Sequence, residues 1–195
     1  MSRFRAILLA VLAVVLAVLV VLFFRSGNRE DIRTSAAAPA PQQKGSAGPA
    51  AAGPPRKVTL FFAREEDDRL VGEEREIPSD PSPVREGRDI IAELIKGPTG
   101  DRLATLPEGT KLGQLFITKD GTAYVDFSRD IVARHPSGSS AERATVYAVV
   151  NSLAFNLKAV KKVFILIGGE ERETFNGHLG LDRPFRPDFA LIAKR

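Results

Sequence analysis

The carboxylate that the sequence places best for chemistry is Asp126, which lies in an alternating apolar segment, residues 112–128. At the end of a strand, a carboxylate either accepts hydrogen bonds from backbone donors of a turn or binds a ligand. Acid–base catalysis would require a second carboxylate that converges on the same point, and Asp130 is the nearest candidate. We therefore predict a structural or ligand-binding role for Asp126. A hydrolase that uses the carboxylates around it is the alternative.

Four other residues are candidates for binding: Tyr124, Asn151, His178 and Phe185. Tyr124 shares a predicted strand face with Asp126. Asn151 lies among apolar residues of a predicted helix, where a buried amide must find hydrogen-bond partners. It therefore either ties the helix to a sheet or loop, or contacts a ligand.

Phe185 and His178 lie in a tail that is rich in Gly and Pro. Phe185 stands between Arg183 and Arg186, so it is either a contact point for a partner or a side chain packed onto the domain. The only other histidine is His135, and neither histidine has a partner at metal-ligand spacing. Because the chain also lacks cysteine, disulfides, thiolate catalysis and sulfur-bound zinc are excluded. We expect no metal, no cofactor and no catalytic residue.

The net charge of +4 is unevenly distributed. Residues 1–55 contain six Lys and Arg against two Asp and Glu, whereas residues 56–195 contain twenty-two of each kind. Binding to nucleic acid normally requires a basic surface that releases counterions. Since the folded part is neutral, no nucleic-acid partner is expected.

Residues 6–24 form a run of nineteen residues without a charged residue, Gly or Pro. As a helix at about 1.5 Å per residue, the run would span roughly 28 Å, close to the hydrocarbon core of a bilayer. We predict an uncleaved single-pass transmembrane signal anchor, preceded by a short tail of residues 1–5. Arginines flank both ends of the run, so positive charge does not decide its orientation.

Residues 25–55 are predicted to be a flexible linker. Eighteen of the twenty-one residues from 35 to 55 are Ala, Pro, Gly or Ser, a composition that cannot bury enough apolar surface to fold. As a loose coil, this stretch would separate the domain from the membrane by about 25 Å. Because such a spacer is typical of envelope proteins, we expect the domain on the extracytoplasmic, periplasmic side of the bacterial inner membrane.

Residues 56–195 suit one globular domain with its own core. The apolar runs 58–62 and 163–167 are predicted to be central strands. Between them, Asp120-Gly121 is predicted to be the two-residue turn of a hairpin that pairs Phe116 with Val125 on its core face.

Two helices are predicted. The first covers residues 82–96, begins at a Ser-Pro cap and ends at Gly97-Pro98. The second begins at Ser139 with capping-box spacing to Glu142 and continues with an apolar stripe. The order of elements indicates an α+β fold: a mixed β-sheet with the two main helices packed on one face, preceded by a single transmembrane helix and a disordered linker.

Six segments carry a family resemblance: KVTLFFA, ELIKGPTGDRLATLPEGTKL, AYVDFS, YAVVNSLAF, VFILIGGE and GHLGLDRPF. In this order and spacing they resemble the GerMN domain, the module named after the spore germination protein GerM. The similarity runs from about residue 57 to about residue 186 and fits a single copy. It implies a non-enzymatic envelope module of sporulation, germination and other bacterial surface proteins that works through protein assembly.

The anchor, the spacer and the resemblance together predict a membrane-anchored module. Its tether would raise the effective concentration of the domain near a partner. The expected partners are an envelope protein or peptidoglycan, and other copies of the domain, in a homo-oligomer, are a further candidate. An envelope hydrolase that uses the carboxylates around Asp126 is the alternative function.

Overall fold

The computed structural model describes residues 53–194, which form an α+β fold with two sheets. The elements, in chain order, are β1 (Pro55–Ala63), β2 (Leu70–Pro78), α1 (Pro83–Ile95), β3 (Leu112–Ile117), β4 (Thr122–Phe127), α2 (Asp130–Ala133), α3 (Ser139–Asn156), β5 (Lys162–Ile167) and a 3₁₀-helix (Phe189–Leu191). The predicted anchor at residues 6–24, and the predicted linker as far as residue 52, lie outside the described residues. Among residues 53–194, no helix combines the length and the apolar character needed to cross a membrane.

The strands form two sheets, whereas the sequence predicted a single mixed sheet. β1 and β2 pair antiparallel along their whole length. The second sheet has the order β3-β4-β5, with β3 antiparallel and β5 parallel to β4. This second sheet is mixed, as predicted, but β1 is not part of it. The sequence prediction missed β2 because four of its nine residues are charged, which obscures the alternation of a strand.

The outer edge of β1 is closed by side chains of α3. Asn156 Oδ1 accepts a hydrogen bond from the Thr59 N–H at 2.9 Å, and Asn156 Nδ2 donates to the Thr59 carbonyl at 2.7 Å. Ser152 Oγ accepts from the Phe61 N–H at 3.0 Å. Helix side chains thus take the place of a neighbouring strand. The prediction of a central strand at residues 58–62 is wrong for this reason, although the residues are well buried.

The β3–β4 hairpin is one residue out of the predicted register. Phe116 pairs with Tyr124. Val125 is therefore buried in the core, whereas Phe116 is exposed on the opposite face of the hairpin. The connection is longer than the predicted two-residue turn, because Gly121 has a φ of 87° and its N–H donates to the Thr118 carbonyl at 3.0 Å. A loop of three residues that ends in a left-handed glycine is the usual alternative to a two-residue turn.

Both predicted helices are present, but only one begins as expected. Ser82 caps α1 by accepting a hydrogen bond from the Arg85 N–H, and proline follows at the first helical position. Helix α3 begins after Gly138, which has a φ of 127°, and no side chain caps it. The predicted capping box from Ser139 to Glu142 is wrong, because the Glu142 carboxylate is directed into the domain and is fully buried.

One hydrophobic core connects the two sheets through the helices. Helix α3 packs mainly on β1 and also contacts β5, whereas α1 packs on β3 and on both strands of the first sheet. The largest fully buried side chains include Phe62 from the first sheet, Phe127 from the second and Phe175 from the segment after β5. The helices are therefore shared by two sheets and do not lie on one face of a single sheet.

Candidate functional site

After β5, the chain returns along helix α3, and we call residues 176–189 the strap. Four contacts join the strap to the helix, in the same order along both: Glu142 with His178, Tyr147 with Phe185, Asn151 with Asp188, and Phe155 with Phe189. The helix positions are four or five residues apart, so they follow one side of α3. Three of the five predicted binding residues, Asn151, His178 and Phe185, therefore lie along the contact between the strap and α3.

The carboxylate of Glu142 holds the first part of the strap. Glu142 is 0% exposed, and it accepts hydrogen bonds from His178 Nδ1 at 2.8 Å, the His178 N–H at 3.3 Å and the Leu179 N–H at 2.8 Å. Burial by itself raises the pKa of Glu142, but hydrogen bonds from the His178 ring and from backbone N–H groups outweigh burial. The pKa of Glu142 consequently lies below its ordinary value, and the ionised carboxylate holds the strap through these hydrogen bonds.

Glu142, like Tyr147, is a site residue that sequence reasoning missed. It stands four residues before Val146, which places it on the buried side of α3. A carboxylate in an apolar stripe is a signal of a buried ion with partners. The spacing from Ser139 is the competing signal, because it assigns the same carboxylate to the exposed start of the helix.

Asn151 holds the middle of the strap and is fully buried. Its Nδ2 donates to the Asp188 carbonyl oxygen at 2.8 Å, and its Oδ1 accepts from the Asp188 N–H at 3.0 Å. This reciprocal pair imitates the hydrogen bonds of a neighbouring strand and engages both ends of the amide. Of the two roles that the sequence left open, the geometry matches a tie between helix and loop.

Phe185 packs onto the domain and pairs with β5. Its backbone exchanges two hydrogen bonds of 2.8 Å with Val163, and its half-buried ring meets Tyr147 edge-on at 6.0 Å. The neighbouring Arg183 and Arg186 are exposed. Between the strap and α3 lies a groove of about 490 Å³, lined by the two aromatic rings, two prolines and both arginines. The basic aromatic tail is thus part of a groove, and Phe185 forms one of its walls.

A smaller cleft of about 290 Å³ lies where the strap crosses the start of α3. Its lining consists of Asp68, Ser139, Ser140, Arg143, His178 and Leu179. Ser140 Oγ donates to Asp68 at 3.0 Å, and the Arg143 guanidinium lies 3.5 Å from the same carboxylate. A histidine, a glutamate and serines together are the components of a nucleophilic site. In the described part of the chain, however, no hydrogen bond joins either serine hydroxyl to the His178 ring.

Tyr124 and Asp126 lie apart from the strap, on the other face of the β3-β4-β5 sheet. Side chains alternate along β4, so both point away from the core residues of the same strand. The Tyr124 ring stacks on Phe116 at 4.7 Å between centroids and lies 5.4 Å from Phe164. The residues predicted for binding are therefore divided between two places in the domain.

The Asp126 carboxylate fixes a turn. Its Oδ1 accepts from the Gly169 N–H at 2.8 Å, in the turn after the neighbouring strand β5. Asp130 accepts a separate hydrogen bond from Ser128 Oγ at 3.0 Å. Each carboxylate is thus engaged with its own local partner. Within residues 53–194, no three His, Cys, Asp or Glu side chains are arranged to hold a metal ion.

The comparison with known proteins concerns most of the described chain. Residues 59–173 match the family model Germane, described as sporulation and spore germination. Among curated protein sequences, none matches the chain significantly.

Solved structures share the fold. A candidate lipoprotein from Clostridium perfringens has a TM-score of 0.51 and 21% identity, over 72% of this chain and 95% of that one. The first GerMN domain of the sporulation protein GerM from Bacillus subtilis has a TM-score of 0.52 and 20% identity, over 68% of this chain and 97% of that one. The tandem GerMN domains of the same protein have a TM-score of 0.53 and 20% identity, over 69% of this chain and 46% of that one. The chain thus spans about half of the tandem structure and nearly all of the single domain.

Proposed function

The chain belongs to the Germane family of sporulation and spore germination domains, and we propose that it is a non-enzymatic binding module of the bacterial cell envelope. In this proposal, residues 6–24 anchor the protein in the inner membrane and residues 25–55 hold the domain on the extracytoplasmic side. The partner is an envelope protein or peptidoglycan. Other copies of the domain are a further candidate.

The groove between the strap and α3 is the observation that carries the binding role. It combines the aromatic rings of Tyr147 and Phe185 with the guanidinium groups of Arg183 and Arg186. Tyr, Phe and Arg are residue types enriched at protein interfaces. The strap itself is fixed by Glu142 and by paired backbone bonds, so the groove is formed before a partner arrives. Pre-formed walls lower the entropic cost of binding.

The use of the polar side chains supports a role without catalysis. Asp126 is bonded to the Gly169 N–H, Asn151 to both backbone groups of Asp188, and Glu142 to donors of the strap. Each of these side chains stabilises a turn or a loop. A general base would instead need a free lone pair directed at a substrate position.

The predicted tether explains how modest contacts would be sufficient. A partner confined to the same envelope layer meets the domain at an effective concentration set by linker length, which is in the millimolar range for short flexible linkers. A groove of weak affinity would then be occupied for much of the time. A tether of this kind acts by holding the domain near its partner.

Cysteine labelling in intact cells tests the location. The chain has no native cysteine, so a full-length E171C variant carries one thiol at an exposed loop position. A membrane-impermeant maleimide should label this thiol in intact spheroplasts. Labelling that appears only after the membrane is permeabilised would place the domain in the cytoplasm and refute the location.

A turnover assay separates the binding module from the envelope hydrolase. The purified full-length protein should release no more soluble fragments from peptidoglycan sacculi than buffer does. The matched variants are D126N and D130N, which remove the carboxylates of the alternative, and E171Q, which changes an exposed carboxylate elsewhere. Fragment release that is lost in D126N and retained in E171Q would refute the binding module and support the envelope hydrolase.

A further inference from the structure

Two phenylalanine rings at the end of the strap are exposed. Phe155, in the last turn of α3, is 55% exposed, and Phe189, in the 3₁₀-helix, is 47% exposed. Their rings meet edge-on at 6.1 Å, and Phe155 also packs on the buried ring of Phe61 at 5.5 Å. Single exposed apolar residues are ordinary, but adjacent rings fixed to the core form a patch. We call Phe155 and Phe189 the aromatic end.

Basic residues flank the aromatic end. In the sequence, Lys158 lies three positions after Phe155, Arg186, which also lines the groove, three positions before Phe189, and Lys194 five positions after it. The three basic side chains are exposed, and none forms an ion pair with a carboxylate among residues 53–194. The acidic residue on this part of the strap, Asp188, uses its Oδ1 to accept from the Ala190 N–H at 3.0 Å. The surface therefore combines aromatic rings with an excess of positive charge.

A second exposed aromatic surface lies on the β3–β4 hairpin. Phe116 is also 47% exposed, and it stacks on Tyr124 across the β3–β4 pair. Of the lysines near this hairpin, Lys162 is paired with Asp120 at 3.1 Å, whereas Lys119 and Lys161 are exposed. Phe116 and Phe189 thus have equal exposure, but they lie on different elements of the domain. The difference makes them a matched pair for an experiment.

The chain enters the domain within reach of the aromatic end. Arg56, at the start of β1, donates from Nη2 to the Asn156 carbonyl at the end of α3, at 3.1 Å. Along β1, Pro55 and Phe61 are six residues apart, which corresponds to about 20 Å of strand. If the residues between the predicted membrane segment and β1 form the predicted flexible linker, its coil length would be roughly 30 Å. Such a tether would be long enough for this surface to meet the bilayer.

We propose that the aromatic end, with Lys158, Arg186 and Lys194, is the surface by which the domain rests on an anionic lipid bilayer. The rings enter the headgroup region, where aromatic side chains are favoured, and the cations bind anionic headgroups. Two rings and three cations bind weakly alone, and the tether supplies the effective concentration. This inference rests on the proposed membrane anchoring and adds to it the face of the domain that meets the lipid.

Tryptophan fluorescence tests the inference in the full-length protein. The chain contains no tryptophan, so F189W introduces a single fluorophore at the aromatic end and F116W introduces an equally exposed one on the sheet. Each variant is reconstituted into vesicles of phosphatidylglycerol and phosphatidylcholine that carry doxyl-labelled lipid. Quenching should be at least about twofold stronger for F189W than for F116W. F155W repeats the measurement from the second ring.

Charge reversal tests the electrostatic part of the proposed contact between the domain and the lipid. In the F189W background, K158E should weaken the domain–lipid contact by more than about fivefold, because loss of one basic residue near an anionic surface costs about that factor and the new carboxylate is also repelled. The matched control is K111E, which changes an exposed lysine just before β3, at the end of that strand away from the hairpin loop, and should leave the quenching unchanged. Vesicles of phosphatidylcholine alone should reduce the F189W signal to the level of F116W.

Flotation of the vesicles separates failure of the anchor from failure of this inference. A full-length chain that does not float with vesicles would overturn the proposed anchoring, and the lipid contact with it. A chain that floats, but shows equal quenching in F189W and F116W, would leave the anchoring intact and overturn the proposed surface.

Discussion

Replacing Glu142 by alanine should release the strap from α3 and destabilise the domain by about 2 to 4 kcal/mol. The carboxylate accepts three hydrogen bonds, from the His178 ring and from the N–H groups of His178 and Leu179. Hydrogen bonds to a charged group contribute about 1.5 to 3 kcal/mol each. The His178 side chain is 51% exposed, so water can replace part of these hydrogen bonds. The expected cost of E142A is therefore smaller than the sum of the three. E142Q keeps the shape but loses the charge, and should cost about half as much.

The pH dependence of this effect has a defined sign. The pKa of Glu142 lies below its ordinary value in the folded protein because the hydrogen bonds favour the ionised form despite burial. Glu142 therefore contributes stability above its unfolded-state pKa, about 4.3. The contribution is lost as the pH falls through the lower, folded-state pKa. The difference in unfolding free energy between the wild type and E142Q should accordingly shrink below about pH 4.3.

Urea unfolding of a fragment that begins at Gly53, followed by circular dichroism, measures both effects. E171Q is the matched control, since Glu171 is an exposed glutamate in the loop after β5, and it should change the unfolding free energy by less than about 0.5 kcal/mol. If E142A lowers the unfolding free energy by no more than E171Q does, the interpretation that buried Glu142 holds the strap is refuted. A difference between wild type and E142Q that grows towards low pH would refute the assigned sign.

Three further predictions concern the scaffold. N156A should destabilise the domain by about 1 to 3 kcal/mol, measured by urea unfolding, because it leaves the N–H and carbonyl of Thr59 without partners. G121A should lower the thermal midpoint more than G169A: both glycines have positive φ, but a Cβ at Gly121 would lie 2.9 Å from Lys161 Cγ, whereas none lies within 4 Å at Gly169. The fragment that begins at Gly53 should fold and remain soluble, and molten behaviour in its circular dichroism would contradict the division of the chain at that point.

The helices were predictable because their signals are local. A capping serine, a proline at the first helical position and Gly97-Pro98 define α1 within a few residues of its ends. The apolar stripe of α3 likewise lies within one segment. Such signals require no knowledge of what the rest of the chain does.

The second sheet and the strap were not predictable in the same way, because distant contacts decide them. The charged strand β2 is stabilised by its pairing with β1, and the edge of β1 is closed by Asn156, about one hundred residues away in the sequence. Glu142 is buried only because the strap brings donors to it, thirty-six and thirty-seven positions later. The hairpin register depended on whether Gly121 takes the second position of a two-residue turn or the third of a longer loop, and both are common.

Site-specific photo-crosslinking in intact cells tests the binding role most directly. A photoreactive residue in place of Arg183 lies on the strap groove, and the same residue in place of Lys119 lies on the exposed hairpin loop as a control. The groove position should yield an adduct with one envelope protein or with peptidoglycan that the control position does not yield. The adduct should decrease with Y147A, which removes a groove wall, and persist with D126N. Equal adducts from both positions, or an adduct that is lost with D126N and kept with Y147A, would contradict the assignment of the strap groove as the binding surface.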